Sequence, residues 1–136
     1  MGTNLKFVKA TDINMIPRYL FEQVKPPEYD IDRLYEWAPT LLNNPMNLLG
    51  VFIDKEEAIK GVMWSSYNPI SNNIQVHILS MDREYQGGPI CKEVAGILEK
   101  LKKKIGASGI VATTTRPKAI ERKFGFSRSK SVIMEK

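Results

Sequence analysis

Met81-Asp82-Arg83-Glu84-Tyr85-Gln86-Gly87-Gly88-Pro89-Ile90-Cys91 carries the chain from a strand straight into the amino end of a helix. Upstream, Ile74-Gln75-Val76-His77-Ile78-Leu79-Ser80-Met81 is rich in β-branched and apolar residues and reads as a strong strand. Downstream, Ile90, Val94, Ile97, Leu98, Leu101 and Ile105 recur at i, i+3, i+4 spacing, with Pro89 at the favoured first helical position and Gly106 as the stop. Free N–H groups at such a helix start bind anions, and glycines let a phosphate approach the main chain. Neither GxGxxG nor GxxxxGK[ST] is present, which excludes a dinucleotide fold and a nucleotide-hydrolysing P-loop on motif grounds. A tight turn opening a core helix fits the same residues.

Working toward the amino terminus, Leu5 to Ala10 alternates as a strand, and Thr11-Asp12 offers a cap before Ile13, Ile16, Leu20 and Phe21 at helical spacing. Pro17 makes that helix start late or bend, and Lys25-Pro26-Pro27 ends it. Asp30 or Asp32 caps a second helix with Ile31, Leu34, Tyr35, Ala38, Leu41 and Leu42 as its apolar stripe and Pro39 as a break or bend. Leu48 to Ile53 and Ala58 to Ser66 form a hairpin around Asp54-Lys55-Glu56-Glu57, and turns at Asn68-Pro69 and Ser71-Asn72-Asn73 lead into Ile74. After the long helix come a short strand at Gly109 to Thr113, a short helix at Pro117 to Lys123 closed by Gly125, and a final strand at Ser131 to Met134. The order βααβββαβαβ predicts an α/β class with a mixed, mostly antiparallel twisted sheet, one βαβ crossover and helices on both faces, in one domain over 1–136.

Composition sets the outer limits. The chain has 136 residues, 43% hydrophobic and 26% charged, as in globular domains rather than disordered chains. No apolar run approaches the ~20 residues of a bilayer span, and the start lacks a signal-peptide core, so a cytoplasmic protein without membrane partners is expected. One cysteine, Cys91, cannot form an internal disulfide, and with the lone His77 it cannot make a four-ligand zinc site, so no metal is expected. The net charge of +5 is uneven: residues 1–81 carry 7 Lys and Arg against 9 Asp and Glu, whereas residues 82–136 carry 13 against 6. That basic half suits a phosphate-bearing cofactor, a nucleic acid, an acidic partner or plain solubility.

The quoted stretch resembles the Gcn5-related N-acetyltransferases, whose pyrophosphate loop often reads V-D-P-E-Y-R-G-K-G-I-G ahead of an amphipathic helix. Asp82, Glu84, Tyr85, Gly87 and Ile90 match that pattern, and Gln86 stands at its Gln/Arg position. Lys118 to Phe126 is similar to the family's terminal helix with its K-L-G-F ending, and the element order spans the chain. Compact, divergent members of this kind occur in phages. The resemblance implies an acetyl-CoA-dependent N-acetyltransferase acting on an amine of an unidentified small molecule or protein, and it leaves a homodimer open. Loop amides from Gln86 through Gly87, Gly88, Pro89, Ile90 and Cys91 would hold the pyrophosphate. The pantetheine arm would lie between Leu79 to Met81 and the strand ending near Thr113, with Thr114 beside it, while Arg116, Lys118 or Arg122 would face the adenosine phosphates.

The chain also departs from the pattern. Pro89 and Cys91 replace two loop glycines, and proline removes one N–H. The family's usual general-acid tyrosine falls at Glu121, its asparagine near the preceding strand at Thr114, and a glutamate that some relatives use as base falls near Gln75. Acetyl transfer needs a neutral amine and a route for its proton. His77, with an ordinary pKa near ~6.5, is the remaining candidate base, and strand alternation would put it with Gln75, Leu79 and Met81 on one face. A packing role is the other reading of a lone histidine in an apolar strand. Cys91 has no base partner visible in the sequence, and Trp37, Trp64, Tyr35 and Tyr67 either line an acceptor pocket or serve as core. Two further classes remain: a catalytically degenerate binding module, and a small basic nucleic-acid-binding domain, which ranks last because Lys100 to Lys104 lack interleaved aromatics.

Overall fold

The computed structural model describes residues 5–24, 30–85, 88–112, 124 and 127, with the backbone alone for 88 and 89. Its strands are β1 (Lys6–Lys9), β2 (Asn47–Ile53), β3 (Ile59–Asn68), β4 (Asn73–Met81) and β5 (Gly109–Ala112), and its helices α1 (Arg18–Val24), α2 (Ile31–Asn43) and α3 (Gly88–Ile105). The five strands form one sheet in the order β1-β2-β3-β4-β5, antiparallel except for the parallel pair β4 and β5 that flanks the α3 crossover. The expected mixed sheet is therefore present. The Lys25-Pro26-Pro27 stop, the Gln86-Gly87 loop, the 117–123 helix, Gly125 and the 131–134 strand lie outside the described residues, as do Thr114, Arg116, Lys118, Glu121 and Arg122.

Local chemistry accounts for the boundaries. Asp12 accepts from the Asn14 N–H and opens a single 3₁₀ turn at Ile13–Met15, and α1 begins only after Pro17, the late start that proline predicts. Asp30 caps α2 by accepting from the N–H groups of Asp32 and Arg33. Pro39 does not break α2, which runs on to Asn43. In the β2–β3 turn Asp54 accepts from Glu56 and Ala58, and Gly106 ends α3 at φ +82°, a conformation that glycine adopts without Cβ strain. Pro89 sits in the first turn of α3, where its missing N–H has no helical partner to lose.

The sheet is covered on both faces. Leu20 and Phe21 of α1 and Leu34 and Ala38 of α2 pack with Ile13, Ile16, Leu49, Val51, Val62 and Ile78. On the opposite face Ile90, Val94 and Leu98 of α3 pack with Leu5, Phe52, Met63 and Val76. A hydrogen bond from the Leu5 N–H to Glu93 Oε1, 2.8 Å, between residues far apart in sequence, ties the start of β1 to α3. Arg18 of α1 pairs with Asp32 of α2 and stacks 5.2 Å above the Tyr35 ring, which fixes the two helices side by side. Among the described residues no helix is long and apolar enough to cross a membrane.

Candidate functional site

An irregularity in β4 shapes the candidate site. It is a β-bulge: Trp64 pairs with Ile78 and Ser65 with Val76, so the β3–β4 register skips His77. The bulge reverses which side chains face which helix. Val76 belongs to the α3 cluster and Ile78 to the α1/α2 cluster although they are two residues apart. Leu79 and Met81 pack on the α3 side, whereas His77 lies against Trp64 and Ser66 on the α1/α2 side. This corrects the expectation that alternation would put Gln75 and His77 on the face of Leu79 and Met81; the inserted residue inverts the phase.

Along the other edge of β4, the parallel pairing with β5 runs over Asn73↔Gly109 to Val76↔Ala112 among the described residues. The Asp82 N–H donates to the Lys60 carbonyl at 2.7 Å, which makes Lys60 and Asp82 a bonded pair. Bonded and non-bonded pairs alternate along an antiparallel ladder, so Leu79 and Met81, opposite Met63 and Gly61, turn their main-chain groups away from β3. They point to the edge of β4 along which β5 pairs from Asn73 to Val76. The Met81 carbonyl there accepts from Gln23 Nε2 at 3.1 Å, and the same amide lies 3.0 Å from the buried Ser80 hydroxyl. Gln23 and Ser80 carry no motif that sequence reading could have singled out; only the packing of α1 on β4 brings them together.

His77 is the most constrained polar side chain in this region. Its Nε2 lies 2.6 Å from Ser66 Oγ, and its ring stacks on Trp64 with centroids 4.4 Å apart and planes at 34°. Trp64 is itself held, its indole N–H donating to Asn47 Oδ1 at 3.2 Å. Burial of the imidazole lowers its pKa below the ordinary 6.5, because the charged form loses water. At neutral pH the ring is uncharged. The unfolded chain therefore binds more protons than the folded one between that lowered pKa and 6.5, so His77 contributes stability above 6.5 that is lost as pH falls through the folded pKa. Denaturant unfolding at pH 7 and pH 5 is expected to show a larger loss in the wild type than in His77→Gln; equal losses would mean that His77 is not desolvated.

The remaining predicted site residues are distributed unevenly. Ile90 and Cys91 are buried in the first turns of α3, facing the sheet; Gly88 and Pro89 start that helix, and Gln86 and Gly87 lie outside the described residues. Of the four aromatic residues considered for an acceptor pocket, Trp64 stacks on His77. The Tyr35 hydroxyl donates to the Ile16 carbonyl, that of Tyr67 to Asn72 Oδ1, and Trp37 is exposed on α2. At the far end of β4, Lys60 pairs with Glu84 at 2.8 Å and lies over the Tyr85 ring, while burial and the neighbouring Asp82 raise the Tyr19 phenol above its ordinary pKa.

No protein-family model matches the chain, and no curated protein matches it by sequence. Solved structures do match in shape. An aminoglycoside antibiotic 6'-N-acetyltransferase from Acinetobacter baumannii superposes with a TM-score of 0.73 at 11% identity, covering 98% of this chain and 97% of that one. A possible acetyltransferase from Clostridium difficile 630 gives a TM-score of 0.75 at 14% identity, with 97% and 96% covered. A second aminoglycoside N-acetyltransferase, solved in complex with CoA, gives 0.74 at 11% identity over 100% of this chain and 96% of that one. The fold is that of the Gcn5-related N-acetyltransferases. Within this fold the bulge at His77, the outward main-chain groups of Leu79 and Met81 and the start of α3 at Gly88 follow one another along the chain.

Proposed function

We propose that the chain is an acetyl-CoA-dependent N-acetyltransferase acting on an amine acceptor. The carrying observation is the edge of β4: Leu79 and Met81 turn their main-chain groups away from β3, in a fold shared over nearly the whole chain with a CoA-bound acetyltransferase. An extended amide-containing arm fits that edge as a strand would. Leu79 and Met81 would hold it, with the Met81 carbonyl shared with or released by Gln23. The amino end of α3 would take the phosphates through the N–H groups of Gly88, Ile90 and Cys91, Pro89 having none. Bound acetyl-CoA supplies an activated acetyl thioester. The chain's own part is to hold the amine, keep it neutral and remove its proton, and uncharged His77, at the bulge on the α1/α2 face, is the base.

Calorimetry with acetyl-CoA tests the reading first, followed by thiol release over a polyamine, an aminosugar and a lysine-containing peptide. Binding with turnover of at least one amine is expected. No binding at millimolar acetyl-CoA sinks the proposal, and binding without turnover leaves the degenerate binding module instead.

Gly61 gives a separate check on the edge. A Cβ at Gly61 would sit 2.9 Å from both Met81 Cε and the Ser80 carbonyl oxygen and would collide with Met81 Sδ. In Gly61→Ala the Met81 side chain must shift from its place on the α3 face. A destabilisation of about 1–3 kcal/mol is expected in denaturant unfolding, together with a raised KM for acetyl-CoA. An unchanged KM at reduced stability would show that Met81 does not border the acetyl-CoA arm.

A further inference from the structure

The bond at His77 Nε2 has a consequence for how a proton can reach the ring. A neutral imidazole has one accepting nitrogen, and the contact at Nε2 is a hydroxyl 2.6 Å away. We propose that Ser66 is a catalytic residue of the acetyl transfer: its hydroxyl donates to His77 Nε2 and is the group that takes the proton from the acceptor amine. This rests on the acetyltransferase reading above.

Three observations support it. Ser66 and His77 reach each other only because of the bulge, which turns the imidazole onto the α1/α2 side, where Trp64 and Ser66 project from β3. The ring is clamped in that orientation by Trp64, itself anchored on Asn47, so the hydroxyl meets a nitrogen of fixed direction. Ser66 is half-buried, whereas the neighbouring Ser65 is fully buried on the other side of the sheet. A hydroxyl whose own proton is already directed at a base is the arrangement that accepts a proton from a third group.

The transfer balances without any redox partner. As the amine nitrogen forms its bond to the acetyl carbon and the carbon–sulfur bond breaks, the amine proton passes to Ser66 Oγ and the hydroxyl's own proton passes to Nε2. The imidazolium gives that proton back through Ser66 to the departing sulfur, leaving an amide and a thiol.

His77 is the single histidine of the chain, so its ring nitrogens can be read by NMR without assignment. In the free protein at pH 7.5 the expected spectrum has Nδ1 protonated and Nε2 bare. With the best acceptor of the panel, Ser66→Ala is expected to lower kcat about 10²-fold with an unchanged KM for acetyl-CoA, and Ser66→Thr to recover most of the rate. The double variant Ser66→Ala/His77→Gln should be no slower than His77→Gln alone, since two members of one relay are not additive. A protonated Nε2 overturns the relay whatever the turnover, as do a wild-type rate in Ser66→Ala or additive losses in the double variant. In those cases the acetyltransferase reading stands. A wild type as inert as its variants toward every amine removes both together.

Discussion

Phe52→Ala is expected to lower the unfolding free energy by about 3–5 kcal/mol and the melting temperature by about 10–20 °C. Phe52 is fully buried on β2, stacks on Phe7 at 5.0 Å between ring centroids, and helps to form the surface on which Ile90, Val94 and Leu98 of α3 rest. Truncation to alanine removes the ring from a close-packed layer that backbone pairing on both sides prevents from collapsing. Against a total of about 5–15 kcal/mol for a domain, such a loss leaves little margin. Phe52→Leu keeps most of the volume and should cost less than about 1.5 kcal/mol, whereas Trp37→Ala, at a residue 52% exposed, should stay within about 0.5 kcal/mol. The functional corollary is that Phe52→Ala weakens acetyl-CoA binding at temperatures where it is still folded, because α3 presents its amino end from that seat. A variant melting within a few degrees of wild type would show that α3 is positioned by other contacts.

The elements were legible because each is amphipathic in its own period. Leu20 and Phe21, Leu34 and Ala38, and Ile90, Val94 and Leu98 are buried where helical spacing put them, and Asp30 and Gly106 mark ends by local chemistry that needs no tertiary context. The bulge was not legible, and the reason is physical. Both faces of the sheet are covered, so Ile74, Val76, Ile78 and Ser80 are all buried in an unbroken every-second-residue pattern although Val76 and Ile78 serve opposite cores. Period-two burial hides a phase inversion when either side offers an apolar floor. Ser66 was missed for a related reason. Eleven residues separate it from His77 in sequence, and their contact depends on a hairpin register shifted by one residue. Gln23 was missed because a polar residue near a helix end has no pattern until its partner strand is known.

His77→Gln is expected to lower kcat about 10²-fold while leaving acetyl-CoA affinity within a factor of about two. Glutamine is the informative replacement, since its amide can still meet Ser66 and fill the space beside Trp64 but takes no proton near neutrality. The wild-type rate should fall on the acid side, because protonation of the imidazole removes the base. Burial places that limb below pH 6.5, and it should be absent in the variant. Affinity for acetyl-CoA should hold because Leu79 and Met81, the residues proposed to line the arm, pack on the α3 side while His77 faces α1 and α2. Measurement of kcat and of kcat/KM between pH 5.5 and 9, with calorimetry at pH 7.5, separates the two effects. A parallel loss of rate and acetyl-CoA binding would mean that His77 holds the bulge in shape. An unchanged rate would remove it from the chemistry altogether and leave the neutral ring a packing partner of Trp64.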